Sequence, residues 1–286
     1  MNEQGSPPMV NELVSGVPAP PLRHLIERYT GYRTEGAEPG VHAGLPSRSL
    51  TFIVAFHDPL DVEMAQAGVA DRREYWAMLA GLHTAPALVR HGGRQVGVQV
   101  ALRPHAAPSL FGVAASALAN GAVHLEEVVP RVASELVDRL SSATSWSARW
   151  GVLDDVLLAL LDDRCSIDPG VDAAWSLLVR TQGAIGIEAL SRELGWSRRH
   201  LTKRFSSAFG LPPKAVARVV RFERAQRLLR DTARPSLAAV AQTCGYADQA
   251  HMTREWTRLA GSPPTVWLAR ESIPILQDDP DGEPSV

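Results

Sequence analysis

Residues 187 to 264 carry one pattern twice, and this internal repeat constrains the fold more than any other feature of the chain. Ile187, Leu190 and Leu194 return fifty residues on as Leu237, Val240 and Cys244; Ser191 returns as Ala241, and Gly195-Trp196 as Gly245-Tyr246. Beyond the glycine, one inserted residue, Ala247, moves the offset to fifty-one. Ser197, Leu201, Thr202, Lys203 and Phe205 then match Asp248, Met252, Thr253, Arg254 and Trp256. Gly210-Leu211-Pro212-Pro213 closes the first copy and Gly261-Ser262-Pro263-Pro264 the second.

Each copy has the physics of a helix-turn-helix. A short first helix buries positions i, i+3 and i+7, and the small residue at 191 or 241 lets a second helix pack closely. Gly195 or Gly245 takes a left-handed turn that branched residues resist. Ser197 and Asp248 stand where an N-cap is wanted. The second helix buries Leu201 with Phe205, or Met252 with Trp256, which leaves its other face to solvent. That face offers Arg199, Thr202, Lys203 and Ser206 in the first copy, and Gln249, Ala250, His251, Arg254 and Arg258 in the second. Such side chains can bond base edges and phosphates. Between the copies, Pro213 to Arg230 reads as one helix with Val216, Val219 or Val220, Phe222, Ala225 and Leu229 facing inward. At ~1.5 Å per residue this is a rigid strut of roughly 27 Å, against ~34 Å for one DNA turn.

Charge is segregated in the same place. The whole chain of 286 residues has a net charge of -2, but residues 181 to 270 carry 15 Lys and Arg against 6 Asp and Glu, a net of +9. The flanks are acidic, at -6 for residues 1 to 180 and -5 for residues 271 to 286. A cationic module between acidic flanks is the footprint of a segment that neutralises phosphates. All but Lys203 and Lys214 of the basic residues are Arg, so the clustering carries the information and the arginine abundance does not.

The first half reads as α+β. Proline-rich residues 1 to 21 read as a loose arm. Ser49 to Phe56 reads as a buried strand, and Thr84 to His91, Gly92-Gly93 and Arg94 to Leu102 as a hairpin with Val96, Val98 and Val100 at period two. Helical periodicity follows, with Leu125, Val128, Val129, Val132, Leu136 and Leu140 on one face, then Trp146, Trp150, Leu153, Leu157 and Leu160 on another. Asp162 to Gly170 combines charge, Pro and Gly as a linker does, placing a boundary near residue 168. The expected organisation is an arm over 1–21, an α+β regulatory or dimerisation domain over 22–166, an all-α DNA-binding domain over 172–270, and an acidic tail over 271–286.

The segment from about 172 to 270 resembles the DNA-binding domain of AraC/XylS-type transcription regulators. The matching words are Leu-Gly-Trp-Ser-Arg-Arg-His-Leu-Thr-Lys-Arg-Phe (194–205), Arg-Phe-Glu-Arg-Ala (221–225) and Cys-Gly-Tyr-Ala-Asp-Gln-Ala-His-Met-Thr-Arg-Glu-Trp (244–256). The resemblance implies that the second helix of each unit enters the major groove of double-stranded DNA. It places Arg198, Arg199, Thr202 and Lys203, and Gln249, Ala250, His251, Thr253 and Arg254, at the reading positions. Ala250 and Met252 depart from the Ser-His-Phe often found there, so base preference at Ala250 is expected to differ. Arg204, Arg221, Arg224 and Arg227 are expected to be solvated or to position phosphates. The first 160 residues, with Gly-Leu-Pro-Ser-Arg-Ser-Leu-Thr at 44–51 and Leu118 to Leu136, resemble the N-terminal domain of a sparsely described branch of this family. The branch implies effector sensing or dimerisation, often on a cupin-like β-barrel, although the strands legible here fall short of a barrel.

The expected function is therefore an effector-responsive, sequence-specific transcription regulator, an activator or a repressor. Its partners would be DNA, a small-molecule effector, RNA polymerase and a second copy of the chain. The alternative is a DNA-tethered enzyme, which requires a pocket with a positioned nucleophile or a perturbed acid/base pair. Little supports it. Residues 1 to 164 hold no Cys, so the alkyl-acceptor chemistry that some double helix-turn-helix proteins carry lacks its nucleophile. His24, His42, His57, His83, His91, His105 and His124 show no metal-ligand spacing, so no metal or cofactor is expected. No apolar run is long enough to span a membrane and the first residues do not read as a signal peptide, which makes the cytoplasm the expected location.

Overall fold

The computed structural model describes residues 9–66, 69–162, 164–165, 167–231 and 235–270. Among these the N-terminal half holds ten strands in two antiparallel sheets: β1 (Val10–Gly16), β2 (Ile26–Glu35), β3 (Gly40–Gly44), β4 (Leu50–Ala55), β5 (Leu60–Gln66), β6 (Val69–Tyr75), β7 (Ala77–Ala80), β8 (Ala87–His91), β9 (Gln95–Leu102) and β10 (Ala122–His124). One sheet runs β1-β2-β9-β4-β7-β10 and the other β3-β8-β5-β6.

The larger sheet is covered on both faces. Phe52, Val54, Leu79, Val98 and Val100 pack against helices, while Ile53, Ala55 and Met78 pack against Leu60, Val62 and Ala87 of the smaller sheet. Double burial is why β4 reads as an unbroken apolar run, and every residue of it is buried. The smaller sheet turns its other face to water, and Asp61, Glu63 and Arg72 on that face break up its hydrophobic signal. These polar strands are what the sequence pattern under-counted.

Three expectations are corrected. Residues 84–102 are not a hairpin: β8 pairs with β3 and β5, whereas β9 pairs with β2 and β4. The Gly92-Gly93 turn carries the chain from one sheet to the other. Gly93 has φ 95°, a Cβ there would lie 2.1 Å from the Ala37 carbonyl oxygen, and its own carbonyl accepts from Ala37 N at 3.1 Å. The proposed arm is a strand from Val10 onward, paired with β2 from Val10↔Glu35 to Gly16↔Tyr29. Pro18, Pro20 and Pro21 follow this strand without interrupting it, and Pro20–Leu22 forms a 3-10 turn whose Leu22 is buried. The helical face from Leu125 to Leu140 belongs to two helices, α2 (Leu125–Val128) and α3 (Pro130–Ser142), because Pro130 restarts the helix at its first position. Residues 1–8 and the acidic tail, 271–286, lie outside the described residues.

Helix α1 (Ala106–Phe111), α3 and α4 (Trp146–Leu160) cover the larger sheet, with Leu136, Leu140, Leu153 and Leu157 buried. Trp150 stacks on Tyr29 at 5.7 Å. The C-terminal part is helical throughout: α5 (Pro169–Arg180), α6 (Ile187–Glu193), α7 (Arg198–Phe209), α8 (Pro213–Arg230), α9 (Leu237–Thr243), α10 (Gln249–Ala260) and α11 (Pro264–Arg270). Asp168 caps α5 by accepting from Gly170 N and Val171 N, and it also pairs with Arg204 of α7. The hydrogen bond from Val171 N is the main cause that holds the Asp168 carboxyl below the ordinary carboxylate range.

Candidate nucleic-acid interface

The repeat in sequence is a repeat in hydrogen bonds. In the first unit, α6-turn-α7, Gly195 sits at φ 66° and Trp196 N donates to Ser191 O at 2.9 Å. In the second, α9-turn-α10, Gly245 sits at φ 74° and Tyr246 N donates to Ala241 O at the same 2.9 Å. Ser191 and Ala241 are both buried where the paired helices meet. Ser197 Oγ accepts from His200 N at 3.2 Å, and Asp248 Oδ1 accepts from His251 N at 2.6 Å, so each second helix starts on a side-chain cap. The inserted Ala247 is absorbed by His251, whose Nδ1 accepts from Ala247 N at 3.3 Å. Both second helices end on left-handed glycines, Gly210 and Gly261, and Pro213 and Pro264 open the next helices.

Burial fixes which face each second helix can offer. Leu201, Phe205, Met252 and Trp256 are fully buried. On the opposite side Arg198, Arg199, Thr202, Lys203, Gln249, Ala250 and Arg254 are exposed, and Thr253 and His251 are half-buried. The reading positions named from the sequence are thus exposed except for Thr253 and His251. The His251 ring is held by Ala247 N, lies edge-on to Tyr246 at 5.6 Å and faces Glu255 at 3.5 Å, so it organises the turn.

Helix α8 is the strut between the units, and it is buried on several sides at once. Val216, Val219, Val220, Phe222, Ala225 and Leu229 are all buried, which resolves the choice between Val219 and Val220 in favour of both. Arg221 corrects an expectation. It is no solvated phosphate contact: its guanidinium donates to Gly183 O at 3.0 Å and to Glu255 Oε2 at 3.2 Å, and lies over the Tyr246 ring at 5.4 Å. One side chain therefore ties the loop before the first unit to the second helix of the second unit.

The N-terminal domain reaches this strut, which sequence reasoning missed. Leu45 is buried in the core of the second unit with Phe222 and Trp256. Arg48 N donates to Glu223 Oε1 at 3.1 Å, and the Arg48 guanidinium stands 3.6 Å from Glu27 and 4.0 Å from Glu223. Burial, the largest cause, raises the Glu223 carboxyl to about 7. Leu45 and Arg48 both fall within the Gly-Leu-Pro-Ser-Arg-Ser stretch, but nothing in its spacing revealed a contact 175 residues away. Among the described residues no group of three or more His, Cys, Asp or Glu could hold a metal, and no helix is long and apolar enough to cross a membrane.

Comparison with known proteins agrees with this geometry. Residues 190–270 match the family model described as a helix-turn-helix domain, which is of the AraC type, and residues 16–124 match a domain of unknown function, DUF6597. An uncharacterized HTH-type transcriptional regulator, YbfI, of Bacillus subtilis (strain 168) is 35% identical over 68 residues. The matched stretch covers 24% of this chain and 24% of that protein, so the likeness spans about a quarter of the relative. The crystal structure of an apo ToxT variant from Vibrio cholerae superposes with a TM-score of 0.52 at 13% identity, covering 84% of this chain and 97% of its own. At that identity the likeness concerns the fold: a β-rich N-terminal domain followed by a helical one.

Proposed function

Because residues 190–270 form an AraC-type helix-turn-helix domain, we propose that the chain is a sequence-specific transcription regulator that reads two adjacent major grooves of one duplex. The observation that carries this is the paired presentation of α7 and α10. Each is capped, each is anchored by two fully buried side chains, and each turns basic residues outward from a segment of net charge +9, α10 adding the amide of Gln249. The strut between them has 18 residues, roughly 27 Å of helix, close to the ~34 Å of one DNA turn once the flanking turns are added. Arg198, Arg199, Thr202 and Lys203 would face one groove, and Gln249, Ala250, Thr253 and Arg254 the next, with His251 shaping the second helix start. The N-terminal domain is read as the effector-sensing and dimerising part, and the complex as one that contacts RNA polymerase in the cytoplasm. The matched helix-turn-helix domain supports a regulator, and the domain matched over residues 16–124 is of unknown function.

The test is selection of bound duplexes from a random pool with the full chain, followed by titration of the selected site. Affinity is expected to fall steeply with salt. Lys203→Ala or Arg254→Ala should weaken the selected site by roughly 1–3 kcal/mol and relax preference at one position. Equal affinity for selected and random duplexes in the parent chain would refute base reading.

A further inference from the structure

The N-terminal domain meets α7 and α10 at equivalent points, the glycine that ends each helix. A Cβ added at Gly210 would strike Ala119 and stand 3.0 Å from Ser116 O, and one added at Gly261 would lie 3.2 Å from Pro86 Cγ. The left-handed backbone, at φ 76° and 74°, already calls for glycine at both places. The missing side chains also give the N-terminal domain room to approach.

The loops that make these two contacts are one body. Asn120 N donates to Leu82 O at 2.8 Å and Gly81 N to Gly121 O at 3.0 Å. Asn120, at φ 57°, turns the chain into β10, and a Cβ at Gly81 would strike the Leu118 carbonyl, so the loops interlock without space between them. The buried His83 ring lies 3.2 Å from Gly81 O and stands against the backbone of Gly44 and Leu45. From there Leu45 enters the core of the second unit and Arg48 N reaches Glu223 on α8. Residues 44–48, 81–86 and 115–121 thus form one platform that touches the first unit, the strut and the second unit.

Apart from this platform the units are joined through α8. The first packs on Val216 and Val220 and the second on Phe222 and Ala225, in separate cores. A tilt of about 10° at one end of a ~27 Å strut moves the other end by roughly 5 Å, more than the ~3.4 Å step between base pairs. A second point of attachment away from the strut removes that freedom. Resting on the reading that α7 and α10 enter adjacent grooves, we propose that the platform is a brace in which Ala119 and Pro86 are positioning residues: they fix the separation of the two reading helices, and with it the spacing of the DNA elements that the chain accepts. The brace bears on the far ends of the helices only. Arg198, Arg199, Lys203, Gln249, Ala250 and Arg254 stay exposed beside it, so it does not compete with a duplex.

The test compares the full chain with two independent variants. Pro86→Gly with Leu45→Ala releases the second unit, and Ala119→Phe wedges the first away, so that one remains if the other does not fold. Spin labels at Glu193→Cys and Thr243→Cys, equivalent exposed positions on α6 and α9, report the distance between units without DNA in chains that also carry Cys165→Ser. The parent is expected to give one narrow distance distribution and the variants a broader or displaced one. Each chain is then titrated with the parent's selected duplex and with the same duplex carrying one base pair more between its two elements, which turns the second element by about 34°. The insertion is expected to weaken the parent about tenfold or more and the variants about threefold or less. A broad distribution in the parent, an unchanged one in both variants, or equal losses on insertion overturns the proposal. Failure of the parent to select any duplex sinks the regulator reading, whereas a narrow parent distribution that broadens in the variants still upholds the brace.

Discussion

Arg221 shows how one side chain can hold two repeated units in register. It is 17% exposed and its partner Glu255 12% exposed, so neither charge is well hydrated, and each depends on the other. Replacing Arg221 by Ala leaves a shielded carboxylate and two lost hydrogen bonds. The expected cost is about 2–4 kcal/mol of stability, measured by urea denaturation, and Arg221→Lys should recover little because a point charge cannot bridge Gly183 and Glu255 while stacking on Tyr246. The sequence marks Arg221 only as one arginine among many on a basic helix. Its partners are 38 and 34 residues away, and no periodicity encodes such a meeting. By contrast the caps Ser197 and Asp248, the turn glycines and the buried pairs Leu201/Phe205 and Met252/Trp256 were legible, since each is fixed by neighbours within one turn of helix.

At the scale of elements, α7 and α10 are short helices whose first turns face the proposed groove, so their caps bear on recognition as well as on folding. Ser197→Ala and Asp248→Ala should each cost about 1 kcal/mol of stability. Both should weaken DNA affinity measured by fluorescence anisotropy, and Ser197→Asp should retain it. An unchanged melting temperature in both alanine variants would show that the caps contribute nothing. Strands divide in the same way between legible and hidden. β4 and β9, covered on both faces, are apolar enough to stand out. β5 and β6 carry charges on their outer face, and β1 lies among prolines, so their place in a sheet is decided by partners distant in the chain.

Over the whole molecule, the joint between the N-terminal domain and the helix-turn-helix part contains a titrating group. Glu223 on α8 faces Arg48, Glu27 and Arg227, and its folded-state value of about 7 stands above its ordinary 4.5. The native chain therefore holds this proton more tightly than the unfolded one. Its contribution to stability is greatest below about 4.5, declines as pH rises, and is lost above about 7. The parent is expected to lose up to roughly 3 kcal/mol relative to Glu223→Gln between those limits, since each tenfold difference in proton affinity between the folded and unfolded chain is worth about 1.4 kcal/mol. Urea titrations of both chains at pH 5 and pH 8 check this, and a parent-minus-variant difference that does not change with pH would refute it.

The two units are not seated alike. The first shares one continuous cluster with the sheets and helices before it, and Phe209 and Leu211 lie in the same core as Ala115 and Leu118. A Cβ added at Gly210 would strike Ala119. The second keeps a core of its own, which Leu45 enters and Ala43 touches from the N-terminal domain. Severing the polypeptide near Ile167 would thus strip an oily flank from the leading half of the reader while hardly disturbing the trailing half. A liberated C-terminal fragment should be prone to self-association through that raw flank, and it should recover solubility when Phe209 and Leu211 are made polar.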